Sequence, residues 1–115
     1  MTRPLCLVLE DDKYTSRYLA IMLDKIGYEV IECNNIGRAD RVIENVKINL
    51  AVLDGLLPDG SGVLFADKLS CPVIFVTWVS DEVNRKEMWE RGCVYQKPVD
   101  ASFKQCVTWV VRVRA

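Results

Sequence analysis

Apolar residues fall along this chain in a rhythm that keeps changing period. Leu5 to Leu9 is an unbroken apolar run, the pattern of a strand buried on both faces. From Lys13 to Ile26 the period is helical: Tyr14, Tyr18, Met22 and Ile26 recur at every fourth position, with Leu19 and Leu23 beside them. Gly27 stands where such a helix closes. Tyr28 to Cys33 reads as a strand, Asn34-Asn35 as a turn, and Ile36, Ala39, Ile43 and Val46 as one helical face. Leu50 to Leu53 is the next apolar strand, ended by Asp54-Gly55, and Pro58 to Gly62 is a loop by composition. A short helix is predicted from Gly62 to Leu69, and Pro72 opens a strand from Val73 to Val76. Glu82 to Arg91 predicts a weak helix, since Val83, Met88 and Trp89 do not share a face. Val94 to Gln96 is a short strand. From Ser102 onward strand and helix periods compete: Val107, Trp109, Val111 and Val113 alternate, while Phe103, Cys106, Val107 and Val110 have helical spacing.

Taking the last element as a helix gives five βα units in one domain, residues 1–115. Regular alternation with apolar strands implies a parallel sheet covered on both faces and joined by right-handed crossovers. For five strands the expectation is α/β, a doubly wound flavodoxin-like sheet of order 2-1-3-4-5.

Composition narrows the function. The chain has no histidine, which excludes Ser-His-Asp and Cys-His catalysis, His-ligated zinc and phosphohistidine transfer from its own side chain. A net charge of −1 argues against a nucleic-acid-binding surface. No apolar run is long enough for a membrane span or a secretory signal, so a cytoplasmic protein is expected. The five cysteines include no C-x-x-C pair and read as free thiols acting as small hydrophobes.

In open parallel sheets ligands sit at the carboxyl ends of the strands, near the point where strand order reverses. Here the first strand ends in Glu10-Asp11-Asp12, the third in Asp54, the fourth in Thr77 and the fifth in Lys97-Pro98. Alone, the acids suit a helix N-terminus, Asp54 a turn, and Lys97 a solvated surface. Together they converge on one crevice. Clustered carboxylates repel, and a hard divalent cation with oxygen ligands offsets that repulsion. Mg²⁺ is favoured over Ca²⁺, because few protein ligands leave octahedral positions for water and a phosphoryl oxygen.

The chain resembles, from Leu5 to about Arg112, the receiver domains of two-component response regulators. The resemblance rests on Leu9-Glu10-Asp11-Asp12, Leu53 to Gly62, Pro72 to Thr77, and Lys97-Pro98. It implies that Asp54 is the phosphoacceptor and that Mg²⁺ is held by Asp11, Asp54 and the backbone carbonyl of Leu56, with Glu10 acting through water. It also implies that Thr77 is the switch hydroxyl and that Lys97 contacts the phosphoryl group. Asp12 is assigned instead to capping the first helix.

The expected function is a single-domain response regulator, phosphorylated by a sensor histidine kinase or histidine phosphotransfer protein. Alternatives are the excised N-terminal receiver of a longer regulator, a phosphorylation-independent pseudo-receiver, and a haloacid-dehalogenase-type phosphatase. The last lacks its second acid, since Leu56 stands at that place.

Three departures from the family pattern stand out. The third and fourth helices are expected to be shortened. Trp78 follows Thr77 where a small residue is common. Val94 holds the place of the switch aromatic, and Tyr95 comes one residue late, which in a strand turns it to the other face. Apolar Leu56 and Val79, with Trp78 as a cover, predict slow loss of phosphate. Surplus apolar area on the last helix, centred on Trp109 and Val113, predicts a partner face or homodimer.

Overall fold

The computed structural model describes residues 2–78 and 82–114. Its main sheet has strands β1 (Leu5–Leu9), β2 (Glu29–Cys33), β3 (Leu50–Leu53), β4 (Val73–Thr77) and β5 (Cys93–Gln96). Its helices are α1 (Lys13–Lys25), α2 (Ile36–Asn45), α3 (Gly62–Ala66), α4 (Glu82–Arg91) and α5 (Phe103–Arg114). All four strand pairings are parallel and the order is β2-β1-β3-β4-β5, as the alternation predicts. The ambiguous last element is helical.

Local chemistry sets the helix ends. Asp12 caps α1, accepting hydrogen bonds from the Thr15 amide (3.1 Å) and hydroxyl (2.5 Å). Gly27, at φ +108°, takes the left-handed turn that releases the chain after α1. The residues between strand and α2 do more than turn: Asn35 caps α2 by accepting from the Arg38 amide at 2.9 Å. Ser61 caps α3 in the same way, from the Leu64 amide.

Side chains alternate between two cores, one on each side of the sheet. Leu7, Leu9, Leu53, Phe75 and Val73 pack with Ala39 of α2, Phe65 of α3 and Met88 of α4. Cys6, Val8, Val52, Ile74 and Val76 pack with Leu19 and Leu23 of α1 and Phe103, Val107 and Val110 of α5. The cysteines are all free thiols.

The expected trimming holds for α3, which has five residues and stops short of Leu69. Helix α4 spans Glu82–Arg91, the range its sequence predicts. Only Met88 of α4 is buried. Glu, Lys and Arg are good helix formers, so this segment keeps its helix without an apolar stripe. The Arg91–Asp67 ion pair (2.8 Å) ties its end to α3. The Pro58–Gly62 loop also holds more order than its composition suggests: Leu56–Leu57 and Gly60–Ser61 form a small antiparallel ladder.

Candidate functional site

Register brings the predicted residues together. Leu9 pairs with both Cys33 and Leu53, so β1, β2 and β3 end level. The backbone then extends each strand by one bond: Glu10 N–H donates to the Cys33 carbonyl (3.0 Å) and Asp54 N–H to the Leu9 carbonyl (2.8 Å). Lys97 N–H donates to the Thr77 carbonyl (2.9 Å), which fixes the lysine beside the end of β4. From there its ammonium lies 2.6 Å from Glu10 Oε1 and 3.2 Å from Asp54 Oδ2.

This ion group is largely out of water, with Glu10 2% and Lys97 6% exposed. Burial pushes the Glu10 carboxyl up to about 7; the Lys97 ammonium opposes that shift and the Asp54 charge adds to it. For Lys97, burial pulls the pKa down, but the bond to Glu10 and the charges of Asp54 and Glu10 outweigh it and raise it. One cation thus serves two carboxylates, and the cluster remains short of positive charge.

The donor set suits a hard cation. Glu10, Asp11 and Asp54 each offer a carboxylate oxygen, all within 4.8 Å of one another. Glu10 Oε1 is buried, and its partner is the Lys97 ammonium. The other oxygen, Oε2, accepts from the Asp12 amide at 3.3 Å. Asp11 is exposed at the mouth of the cluster, open to an ion arriving from solvent.

The remaining predicted residues lie around this centre. Thr77 is fully buried at the end of β4. By alternation it faces the same side as Phe75, the side of α3 and α4. Leu56 sits in the short ladder, its amide donating to Asp54 Oδ1 at 3.3 Å and its side chain exposed. Close packing forces a glycine at position 62, where a Cβ would run into the Asp54 carbonyl, and Gly55 lies against the terminal methyl of Met88. Trp78 is exposed on the rim and lines a groove of about 240 Å³ with Tyr14, Tyr18 and Lys97. Val79 lies outside the described residues.

Tyr95 is turned away from Thr77, as its position in the strand predicts. It belongs to the α1/α5 core and packs edge-on against Phe103, ring centroids 5.2 Å apart. Its hydroxyl meets Asp100 Oδ1 and Ser102 Oγ, each at 2.8 Å. Val94 packs in the opposite core. Asp59 was legible only as a loop residue, yet it bonds two backbone amides of α2; nothing local in the sequence signals a partner so distant.

A parallel sheet of this order, with acids and a lysine at its switch point, defines a doubly wound α/β domain with a polar site at the carboxyl ends of its strands. Comparison with known proteins gives the family. The chain is 31% identical over 93 residues to the phosphate regulon transcriptional regulatory protein PhoB of Pseudomonas aeruginosa, covering 75% of this chain and 41% of that protein. It superposes on a two-component response regulator from Clostridium difficile with TM-score 0.87 at 21% identity, covering 97% of this chain and 98% of that one. A response regulator from Burkholderia pseudomallei, determined with a phosphorylated aspartic acid, calcium ion and citrate, matches with TM-score 0.81 at 18% identity. That match covers 96% of this chain and 68% of the other. No family model matches the chain. The chain is a receiver domain of the response-regulator family. It spans well under half the length of the first curated relative.

Proposed function

We propose that the chain accepts a phosphoryl group on Asp54 from the phosphohistidine of a sensor histidine kinase or histidine phosphotransfer protein. An Asp54 carboxylate oxygen attacks phosphorus, the P–N bond breaks, and the leaving imidazole keeps the bonding pair. Asp11, Asp54 and the Leu56 carbonyl would hold Mg²⁺, with Glu10 acting through water. Bound there, Mg²⁺ supplies charge neutralisation for the phosphoryl oxygens. Lys97 exchanges its contact with Asp54 for one with the transferred group, and Thr77 offers its hydroxyl. The observation that carries this reading is the Lys97 ammonium within ion-pair distance of both Glu10 and Asp54, at the mouth where Asp11 completes the acid cluster.

The chain catalyses nothing beyond its own phosphorylation and dephosphorylation. Among the described residues no helix is long and apolar enough to cross a membrane, which fits action in the cytoplasm. Leu56 and Val79 are apolar residues that cannot orient an attacking water, and Trp78 is exposed on the rim as a cover, so the acyl phosphate is slow to hydrolyse. Output passes through protein contact at the outer face of α5, where Trp109 is 52% and Val113 58% exposed. Trp109→Glu abolishes self-association or kinase docking while the fold persists; unchanged association rules that face out. A single-domain regulator is one setting for this chemistry. The length of the PhoB relative favours a second, the receiver of a longer regulator.

Acetyl phosphate with Mg²⁺ tests the assignment. Intact-protein mass should gain one phosphoryl group in the wild type and none in Asp54→Asn. Equal labelling of both proteins would overturn it.

A further inference from the structure

The loop that carries Asp54 is fastened at its base and again at its tip. At the base, Gly62 N–H donates to the Gly55 carbonyl (3.0 Å), and the Leu56–Ser61 and Leu57–Gly60 pairs continue the closure. At the tip, Asp59 reaches out to α2: Oδ1 accepts from the Ile36 amide (2.9 Å) and Oδ2 from the Gly37 amide (3.0 Å). The approach is close, since a Cβ on Gly60 would come within 3.0 Å of Ile36 Cδ1.

Helix α2 does not depend on Asp59 for its cap. Asn35 already fills that place, and exposed amides in a first turn are otherwise served by water. Asp59 belongs to a different element, so its two bonds restrict the loop rather than start the helix. Both carboxylate oxygens are used, and the two amides hold this carboxyl below the usual carboxylate range.

The start of α2 is in turn fixed to the other half of the acid cluster. Only Asn34 and Asn35 separate it from Cys33, whose carbonyl accepts from the Glu10 amide at 3.0 Å. Two pieces of chain therefore meet at the cluster: one with Glu10 and Asp11, the other with Asp54 and Leu56. Asp59 ties the second piece to the frame of the first.

We propose that Asp59 is a positioning residue for the divalent-cation site, holding the Asp54–Leu56 segment in register with Glu10 and Asp11 through its two bonds to the start of α2. This rests on reading the acid cluster as a Mg²⁺ site. Asp59 does not touch the ion; it limits how far two of the ligands drift from the other two. Supporting contacts of this kind commonly change metal affinity by about 10–100-fold, and an exposed one belongs at the lower end.

Calorimetric titration of MgCl₂ into the full chain tests this without reference to phosphorylation. Asp59→Ala should weaken Mg²⁺ binding about tenfold. Asp59→Asn, which keeps one acceptor oxygen, should fall between it and the wild type, and it carries the comparison if the alanine variant fails to fold. Asn35→Ala removes the cap of the same helix but leaves the loop tied, so its affinity should stay within about twofold of wild type. Wild-type affinity in both Asp59 variants, or equal weakening by Asn35→Ala, would overturn the proposal. Asp11→Asn separates the two levels of the argument. If it abolishes binding while Asp59→Ala and Asp59→Asn bind Mg²⁺ as tightly as the wild type, only the role of Asp59 falls. If Mg²⁺ binding ignores Asp11, or the wild type binds none, the metal-site reading fails and the proposal with it.

Discussion

The two sides of the sheet are covered by different sets of helices. On the α1/α5 side, Leu19, Leu23, Phe103, Val107 and Val110 are all buried, and Tyr95 is held by a ring contact and hydroxyl partners. On the opposite side three helices share the cover, α2 burying Ala39, α3 Val63, Phe65 and Ala66, and α4 Met88. Thr77 faces this three-helix side, and Gly55, next to Asp54, rests against Met88. Side-chain parity along a strand decides which side a residue joins. The one-residue displacement that puts Tyr95 late in β5 therefore moves it from the α2, α3 and α4 side to the α1/α5 side. In this receiver, Tyr95 belongs to the docking of α5.

Substitutions on the two sides should separate stability from phosphorylation. Phe103→Ala removes a fully buried ring on the α1/α5 side and should cost about 3–5 kcal/mol in urea unfolding. The protein that remains folded should label on Asp54 at the wild-type rate. A rate that falls with stability would erase the contrast. Met88→Ala should cost less, about 2–3 kcal/mol, but should also slow labelling, because it removes the support behind Gly55. Unaltered labelling in Met88→Ala would mean that packing on the side of α4 does not shape the site.

Tyr95→Phe is the sharper, smaller test. It deletes hydrogen bonds at a partly exposed hydroxyl, so a loss of about 1 kcal/mol is expected, with no change in labelling or in its structural consequences. If phosphorylated Tyr95→Phe protein lost the shifts seen around α4 in wild-type amide spectra, Tyr95 would be coupled to the site after all. The smallest effect concerns pH. Bonds from Ser102 and Tyr95 lower the Asp100 pKa. The unfolded chain then binds this proton more readily than the folded one, so the stability Asp100 contributes is present above the ordinary carboxylate pKa. It is lost as pH falls through the lowered folded value. Asp100→Asn should flatten the acid limb of the stability curve below about pH 4; an unaltered slope counts against the assignment.

Much of this was legible in the sequence because strands and their ends leave periodic traces. Leu5–Leu9, Leu50–Leu53 and Val73–Thr77 announce themselves as apolar runs, and Glu10, Asp54 and Thr77 stand where those runs stop. The order of the sheet follows from alternation and crossover handedness, not from any single residue. Other features left no such trace. The Met88 contact with Gly55 and the Asp59 bonds to α2 join residues far apart in the chain, so only the folded backbone reveals them. The meeting of Glu10 and Lys97 was legible from the strand ends, but their burial and the 2.6 Å ion pair come from the fold.

The central claim is that Asp54, held between Lys97 and the acids at the end of β1, is where phosphate is bound covalently. Borohydride reduction of protein treated with acetyl phosphate and Mg²⁺, followed by peptide mass mapping, reads this directly, since reduction converts an aspartyl phosphate to homoserine. The account predicts homoserine at position 54 alone, in amounts that drop sharply in EDTA and in Lys97→Met. Homoserine at another aspartate, or none in protein that demonstrably binds Mg²⁺, would contradict it.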